Sequence, residues 1–210
     1  MSGHVLAPRR APYSFAELER LVQPRSVSVI GASDTPGSFG ANTMANIQAG
    51  FEGRLYPVNP NRQTVFGLKC WPSVSALPEP VDLAVLIIPA ASVPAALTEC
   101  ADCGVGSAVI YSSGFAELGT PEAISAQAAI AEIARTRGLR VLGPNCIGLA
   151  NMALKFGATF MPSLRELPLA EGPVALVSQG ARLHAAAGHA PRRRLQPLAD
   201  HRQRLRRGCG

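Results

Sequence analysis

The stretch Val27-Ser-Val-Ile-Gly-Ala-Ser-Asp-Thr-Pro-Gly-Ser-Phe-Gly40 decides the fold. It begins as a short apolar run, which predicts a strand, and enters a turn over residues 31–40 that carries three glycines. A helix is predicted from about Ser38 to Gln48 directly after it. A strand that runs through a glycine-rich turn into a helix is the opening unit of a parallel α/β sheet.

Outward from this unit the same alternation repeats. Upstream, Ser14-Phe-Ala-Glu17 has the spacing of a capping box and opens a short helix that stops by Pro24. Downstream, Leu55-Tyr-Pro-Val-Asn59 predicts a second strand, closed by Asn59-Pro60-Asn61. Residues 82–88 predict a third, and its lack of polar alternation fits a parallel strand covered on both faces. A helix follows over about 93–103, then a strand over 107–112. The longest helix runs over 121–137, with Pro121 in its first turn and Gly138 at its C-terminal end. Arg140-Val-Leu142 predicts a short strand ending in Gly143-Pro-Asn-Cys146, and after a looser stretch residues 172–178 predict another. Helices of this length between strands require crossovers, so the fold class is α/β: a doubly wound, mostly parallel Rossmann-like sheet.

Composition supports a packed domain. Of 210 residues, 47% are hydrophobic and 16% charged, which excludes a disordered chain. The longest apolar run, Leu83-Ala-Val-Leu-Ile-Ile-Pro-Ala-Ala91, is broken by Pro89 and is too short to cross a bilayer. The N-terminus has no apolar signal segment, and five scattered cysteines fit a reducing compartment, so a cytoplasmic, non-membrane protein is expected. The formal charge of +6 raises nucleic acid as a partner, but its distribution removes the argument. Residues 181–210 hold eight arginines against one acid, Asp200, whereas residues 1–180 hold twelve basic against thirteen acidic residues. The body is electrostatically balanced and nucleic acid is not the expected partner.

In parallel sheets of this kind ligands bind at the carboxyl ends of the strands. The first such end is the best phosphate cradle: glycines let backbone approach a ligand, and the following helix presents free N–H groups. Gly31, Gly37 and Gly40 are not spaced as G-x-G-x-x-G, and Gly37 is followed by Ser38 rather than by the lysine of a Walker loop. At the second strand end an NAD site normally places an acid for the ribose hydroxyls. This chain offers Asn59, Pro60, Asn61 and Arg62 instead. Arginine suits a ribose phosphate, as in NADP or coenzyme A, although a solvated surface charge explains Arg62 as well on these residues alone.

Together, RSVSVIGASDTPGSFG, YPVNPNR, LAVLIIPA, VIYSSGFAE and VLGPNCIG resemble the CoA-binding domain of NDP-forming acyl-CoA synthetases, a family that includes ADP-forming acetate–CoA ligase and is related to the α subunit of succinyl-CoA synthetase. The resemblance covers residues 15–179. It implies that Gly31, Ala32, Ser33, Asp34, Thr35, Pro36 and Gly37, with Ser38 and Gly40, hold the CoA phosphates. Asn59 and Pro60 precede Arg62, which stands where the α-subunit relatives have a lysine facing the phosphates. Ile88, Pro89 and Ala90 would line the adenine or pantetheine path. Ser112, Ser113 and Gly114 would meet the pantetheine arm, and Asn145 and Cys146 lie near the expected thiol. A small apolar turn residue is an equally good reading of Cys146. The pair Cys100 and Cys103 has metal-like spacing without a second pair and reads as helix packing, as Trp71 reads as a packing residue in a loop. No metal is expected.

The resemblance also implies what is missing. The family relays a phosphoryl group through a histidine in a second domain and binds the nucleotide in an ATP-grasp domain or subunit. The four histidines here are His4, His184, His189 and His201, so residues 5–183 contain none. Catalytic residues are therefore not assigned, and the chain alone is expected to bind CoA or acyl-CoA without turnover. The expected organisation is a flexible arm over 1–13, the CoA-binding domain over 14–153, a linker and first strand of an incomplete second ligase domain over 154–180, and an Arg-rich, disordered tail over 181–210. Codons chosen for residues 201–208 and read one base later encode a Gly-Asn-x-x-Asp segment like one in the family's second domain, which makes a shifted frame the expected origin of the tail. Two other readings share the fold: the CoA-ligase-like region of a protein lysine acetyltransferase, and a fragment of an NADP-binding oxidoreductase.

Overall fold

In the computed structural model, which describes residues 12–166, 172 and 175–177, the predicted strands and helices from α1 to the strand at residues 140–142 form. Helix α1 (Phe15–Val22) is opened by Ser14, whose hydroxyl accepts from the Glu17 amide while the Glu17 carboxylate accepts from the Ser14 amide. The two exchange the orphan donors of the first turn, as the sequence implies. Strand β1 (Ser26–Ile30) is buried throughout and leads through the glycine turn into α2 (Phe39–Gln48). Strand β2 (Arg54–Val58) follows, then a ribbon of β3 (Thr64–Val65) and β4 (Leu68–Lys69). Strand β5 (Leu83–Leu86) leads to α3 (Val93–Asp102), and β6 (Ser107–Ile110) leads to α4 (Pro121–Arg137). Gly138 ends α4 in the left-handed conformation, and β7 (Arg140–Leu142) completes the sheet.

The sheet is parallel, in the order β2-β1-β5-β6-β7. Val27 stands beside Leu55 on one side and Leu83 on the other, and Leu83 stands beside Ser107. Successive side chains feed opposite faces. Ala84, Leu86, Ala108 and Ile110 pack with Leu97 of α3 and Ile130 of α4, whereas Val27, Val29, Val85 and Val109 pack with Met44 and Ile47 of α2. Both faces are dry, so the strands need no polar alternation.

Two elements were not expected. Phe66 and Gly67, at φ 49° and 75°, make the two-residue turn between β3 and β4, and left-handed values at both positions match the twist of a hairpin. The stretch expected to be loose forms the antiparallel hairpin β8 (Gly148–Asn151) and β9 (Phe156–Thr159), followed by a short helix α5 (Ser163–Glu166). Phe156 and Ala158 are fully buried in the α2 side of the core. Asn46 of α2, itself buried, donates to the Thr159 carbonyl at 2.6 Å and the Met161 carbonyl at 3.1 Å. The boundary expected between 153 and 154 thus falls in the turn of a hairpin whose second strand belongs to this core.

The strand expected over 172–178 is corrected in part: residues 175–177 lie in neither helix nor strand, and Leu176 and Val177 are exposed. A separate unit begins at Leu176, of which only those two residues are described. The expectations for residues 1–11 and 181–210, including the shifted-frame reading, lie outside the described residues. Among those described, no helix is long and apolar enough to cross a membrane.

Candidate functional site

The chain leaves β1 toward β2 on one side, while β5 leads to β6 on the other, so the strand order reverses between β1 and β5. Loops diverge at such a point and leave a crevice at the carboxyl ends of the strands. Here the two loops touch. A Cβ placed on Gly31, at φ 87°, would lie 2.2 Å from the Ile87 carbonyl oxygen and 3.3 Å from Ile88 Cγ2. Only glycine permits that approach. Gly40, in the first turn of α2, is equally confined: its Cβ would lie 2.6 Å from the Gly31 oxygen and 3.0 Å from the Ser33 nitrogen. Gly37, at φ 79°, has open space where a side chain would be.

Hydrogen bonds hold the turn between these glycines. The Thr35 amide donates to Ser33 Oγ at 3.0 Å, and Ser38 Oγ donates to the Thr35 carbonyl at 2.8 Å. Ser38 also caps α2, accepting from the Ala41 amide at 3.1 Å. Its neighbours in the first turn, Phe39 and Gly40, have amides with no protein acceptor among the described residues, as expected where a helix begins. Asp34 and Pro36 are exposed, and Ala32 is buried beneath the turn.

Next to this turn stands the end of β2. Asn59 Nδ2 donates to the Ala32 carbonyl at 2.9 Å, and Asn59 Oδ1 accepts from the Asn61 amide at 3.0 Å, with the exposed Pro60 between them. The Asn59 amide donates to the Trp71 carbonyl at 2.8 Å, which gives Trp71 a backbone role beside its packing. Arg62 turns back over the first loop, where its guanidinium pairs with Asp34 and donates to Thr35 Oγ1 at 3.0 Å. A freely solvated side chain is therefore not what the structure shows for Arg62.

On the other side of the crevice, Ser112 Oγ donates to the Ile88 carbonyl and joins the ends of β6 and β5. Pro89 caps the 3-10 turn Ala90–Ser92, and Gly114, at φ 105°, faces the Ala90 methyl. Glu117 accepts from the Gly114 amide at 2.6 Å and so fixes the exposed Ser113 beside it. The sequence reading had no signal for Glu117, because its partner is set by the loop's fold. Asn145, left-handed at φ 53°, donates its amide to the Ser112 carbonyl at 2.9 Å. Cys146 turns inward: its Sγ lies 3.4 Å from the Ile110 carbonyl, and burial pushes its thiol above the usual range. That favours the packing reading over a reactive one.

The sequence-derived candidates thus form one contiguous line along the carboxyl edge, from Arg62 beside β2 to Cys146 beyond β7. Five strands at about 4.8 Å spacing make this line roughly 19 Å long. Sequence reasoning missed the aromatic flank of the line: Phe39, half exposed, stacks on Phe160 at 4.2 Å, and the edge of Tyr111 meets Phe160 at 5.2 Å. Phe160 follows β9, so only the unforeseen hairpin brings it here.

Other features take the plainer reading. Cys100 is buried, with its thiol pushed up to about 12, and among the described residues no cluster could hold a metal ion. A cavity of about 260 Å³ lies between α4 and β7, lined by Gln127, Ile130, Leu139 and Val141 among others, and none of the candidate residues borders it.

Residues 25–152, which contain this whole line, match the family model described as CoA binding domain. The chain belongs to that family. This CoA-binding domain is 43% identical over 153 residues to acetate–CoA ligase (ADP-forming) II of Archaeoglobus fulgidus, across 72% of this chain and 23% of that protein. It is 43% identical over 174 residues to the α subunit of acetate–CoA ligase (ADP-forming) I of Pyrococcus furiosus, across 80% of this chain and 37% of that subunit. Among solved structures it resembles the dinucleotide-forming acetyl-coenzyme A synthetase 1 of Ca. Korarchaeum cryptofilum in complex with phosphate and ADP, with a TM-score of 0.64 and 39% identity over 68% of this chain and 30% of that one. The chain spans about a quarter of the length of the single-chain ligases it matches.

Proposed function

We propose that this domain holds CoA along the carboxyl edge of its sheet as one part of an ADP-forming acid–CoA ligase. The observation that carries the reading is the glycine turn at the crevice. Gly37 opens directly onto solvent, the first amides of α2 lack protein acceptors among the described residues, and Arg62 is fixed on Asp34 and Thr35 of the same turn. Free amides at a helix start favour an anion, and a guanidinium adds the charge that a phosphorylated ribose needs. The nucleotide phosphates would lie on residues 33–40, with Arg62 toward the 3′-phosphate. The pantetheine arm would run past Ile88, Ala90, Ser112 and Gly114.

In this reading the domain presents the CoA thiol to an acyl phosphate, and the overall reaction joins an acid to CoA as ATP becomes ADP and phosphate. Residues 5–183 hold no histidine, so the phosphoryl relay belongs to a further domain or subunit, as does the ATP-grasp nucleotide site. The α-subunit name of the Pyrococcus relative supports such a division of labour.

Calorimetric titration with CoA, dephospho-CoA, NADP and NAD tests this reading. CoA is expected to bind about tenfold tighter than dephospho-CoA, as one charge-assisted contact provides. Binding of NADP alone would overturn it in favour of an oxidoreductase fragment.

A further inference from the structure

An acidic side chain at the lip of a phosphate cradle calls for an explanation. Asp34 lies inside the glycine turn, three residues before Gly37, and left bare its carboxylate would repel any anion approaching the amides of α2. It is not bare. Arg62, from the turn after β2, places Nη1 on Asp34 Oδ1 and Nη2 on Thr35 Oγ1, 3.0 Å away. The arginine side chain is 32% exposed, held down across the turn rather than extended into water. A guanidinium carries five N–H donors, and these two contacts leave three for a ligand. Its other anchor is local: the Arg62 amide donates to the Asn59 carbonyl at 3.3 Å, and Asn59 in turn holds the Ala32 carbonyl.

We infer that Asp34 is a positioning residue, which fixes the Arg62 guanidinium over the glycine turn and thereby sets the domain's preference for a 3′-phosphorylated carrier. The inference rests on the CoA reading above and adds to it a residue that acts through Arg62. Ordering the long side chain before the ligand arrives removes an entropic cost from binding. The same pairing neutralises Asp34, so Arg62 serves twice: as an attractive group for the ligand and as a shield against a repulsive one.

Those two roles separate in a mutant cycle measured by titration with CoA and dephospho-CoA, with thermal melts to confirm folding. In Asp34→Ala, Arg62 loses its anchor, and the roughly tenfold preference for CoA falls to about twofold, chiefly through weaker CoA binding. In Arg62→Ala, Asp34 faces the phosphates unshielded: CoA affinity falls about a hundredfold, and dephospho-CoA weakens as well. The double variant then binds both carriers about tenfold tighter than Arg62→Ala alone, because the repulsive carboxylate has gone. A purely structural part for Asp34 would weaken both carriers in parallel and lower the melting temperature. That result overturns the inference, as does an Asp34→Ala protein that keeps the wild-type preference, or a double variant no tighter than Arg62→Ala. If the wild-type protein binds neither carrier, the CoA reading falls and this inference with it. If it binds CoA and only the variant pattern fails, the CoA reading stands alone.

Discussion

The two ends of the sheet differ in the contacts that join neighbouring elements. At the amino ends, charged side chains cross between elements. Asp82, just before β5, accepts from the Arg20 guanidinium at 2.9 Å and the Arg25 amide at 2.8 Å, while Arg20 also donates to the carbonyls of Val81 and Gly104. Arg140 at the start of β7 reaches Glu17 of α1 at 2.9 Å and covers the Tyr13 ring. At the carboxyl ends, backbone meets backbone where side chains have been removed: Gly31 against Ile87, Gly40 against Gly31, Gly143 against the Ile110 carbonyl. One end is tied together by paired charges. The other leaves the first amides of α2 without protein acceptors among the described residues and one guanidinium fixed over the glycine turn. The first should fail when atoms are taken away, and the second when atoms are added.

The largest effect is expected from adding a single methyl at the carboxyl end. Gly31→Ala puts a Cβ against the Ile87 oxygen in a left-handed backbone, and it should cost on the order of 4 kcal/mol in urea denaturation, or prevent folding. A near-neutral result would show that the β1–β5 approach is looser than the geometry describes.

Removing atoms at the amino end comes next. Asp82→Ala leaves the Arg25 amide and Arg20 Nε without their acceptor and should cost about 2–3 kcal/mol, with CoA affinity of the folded protein unchanged. The same residue gives a pH signature. Burial alone would raise the Asp82 carboxyl, but the Arg25 amide and the Arg20 guanidinium outweigh it and hold it below the usual range. The Ser14 backbone and hydroxyl hold Glu17 low in the same way. A depressed carboxylate stabilises the fold above its unfolded pKa, about 4, and that contribution is lost as pH falls through the lower folded value. Denaturation profiles should therefore be flat from neutrality to about pH 5 and fall below about pH 4, with a shallower fall in Asp82→Ala. An unchanged acid limb in the variant would remove Asp82 from the account.

A smaller change sharpens the carboxyl end. Ser38→Ala removes the cap of α2 and should cost about 1 kcal/mol in stability, with a few-fold weaker CoA binding as the helix start loosens. Smallest of all is Cys146→Ala, expected to leave CoA affinity within about twofold, since a half-buried, protonated thiol turned toward the core packs as a small apolar group. A large loss there would return Cys146 to the chemistry of the site.

Much of this was legible in the chain, because the signals are local. The Ser14–Glu17 capping box, the Pro121 start and Gly138 stop of α4, and the unbroken apolar run at β5 are each written within a few residues. They gave the order of strands and helices, and the edge expected to take a ligand followed from the general behaviour of parallel sheets. The hairpin β8–β9 was not legible. Its second strand reads Phe-Gly-Ala-Thr, whose central Gly and Ala are poor strand formers, and it holds its place by burying Phe156 against α2 and accepting from Asn46, more than a hundred residues earlier.

By itself the sequence determined that a parallel sheet forms, where its strands end, and which residues gather there, since periodicity, caps and glycine positions act over a turn or a strand. Only the tertiary structure decided what those residues do to one another. Whether Arg62 faces water or Asp34, whether Cys146 points into the crevice or the core, and which loops touch at Gly31 depend on groups brought together from distant parts of the chain. Pairing of charges and contact of backbones are properties of distance in space, which no spacing along the sequence specifies.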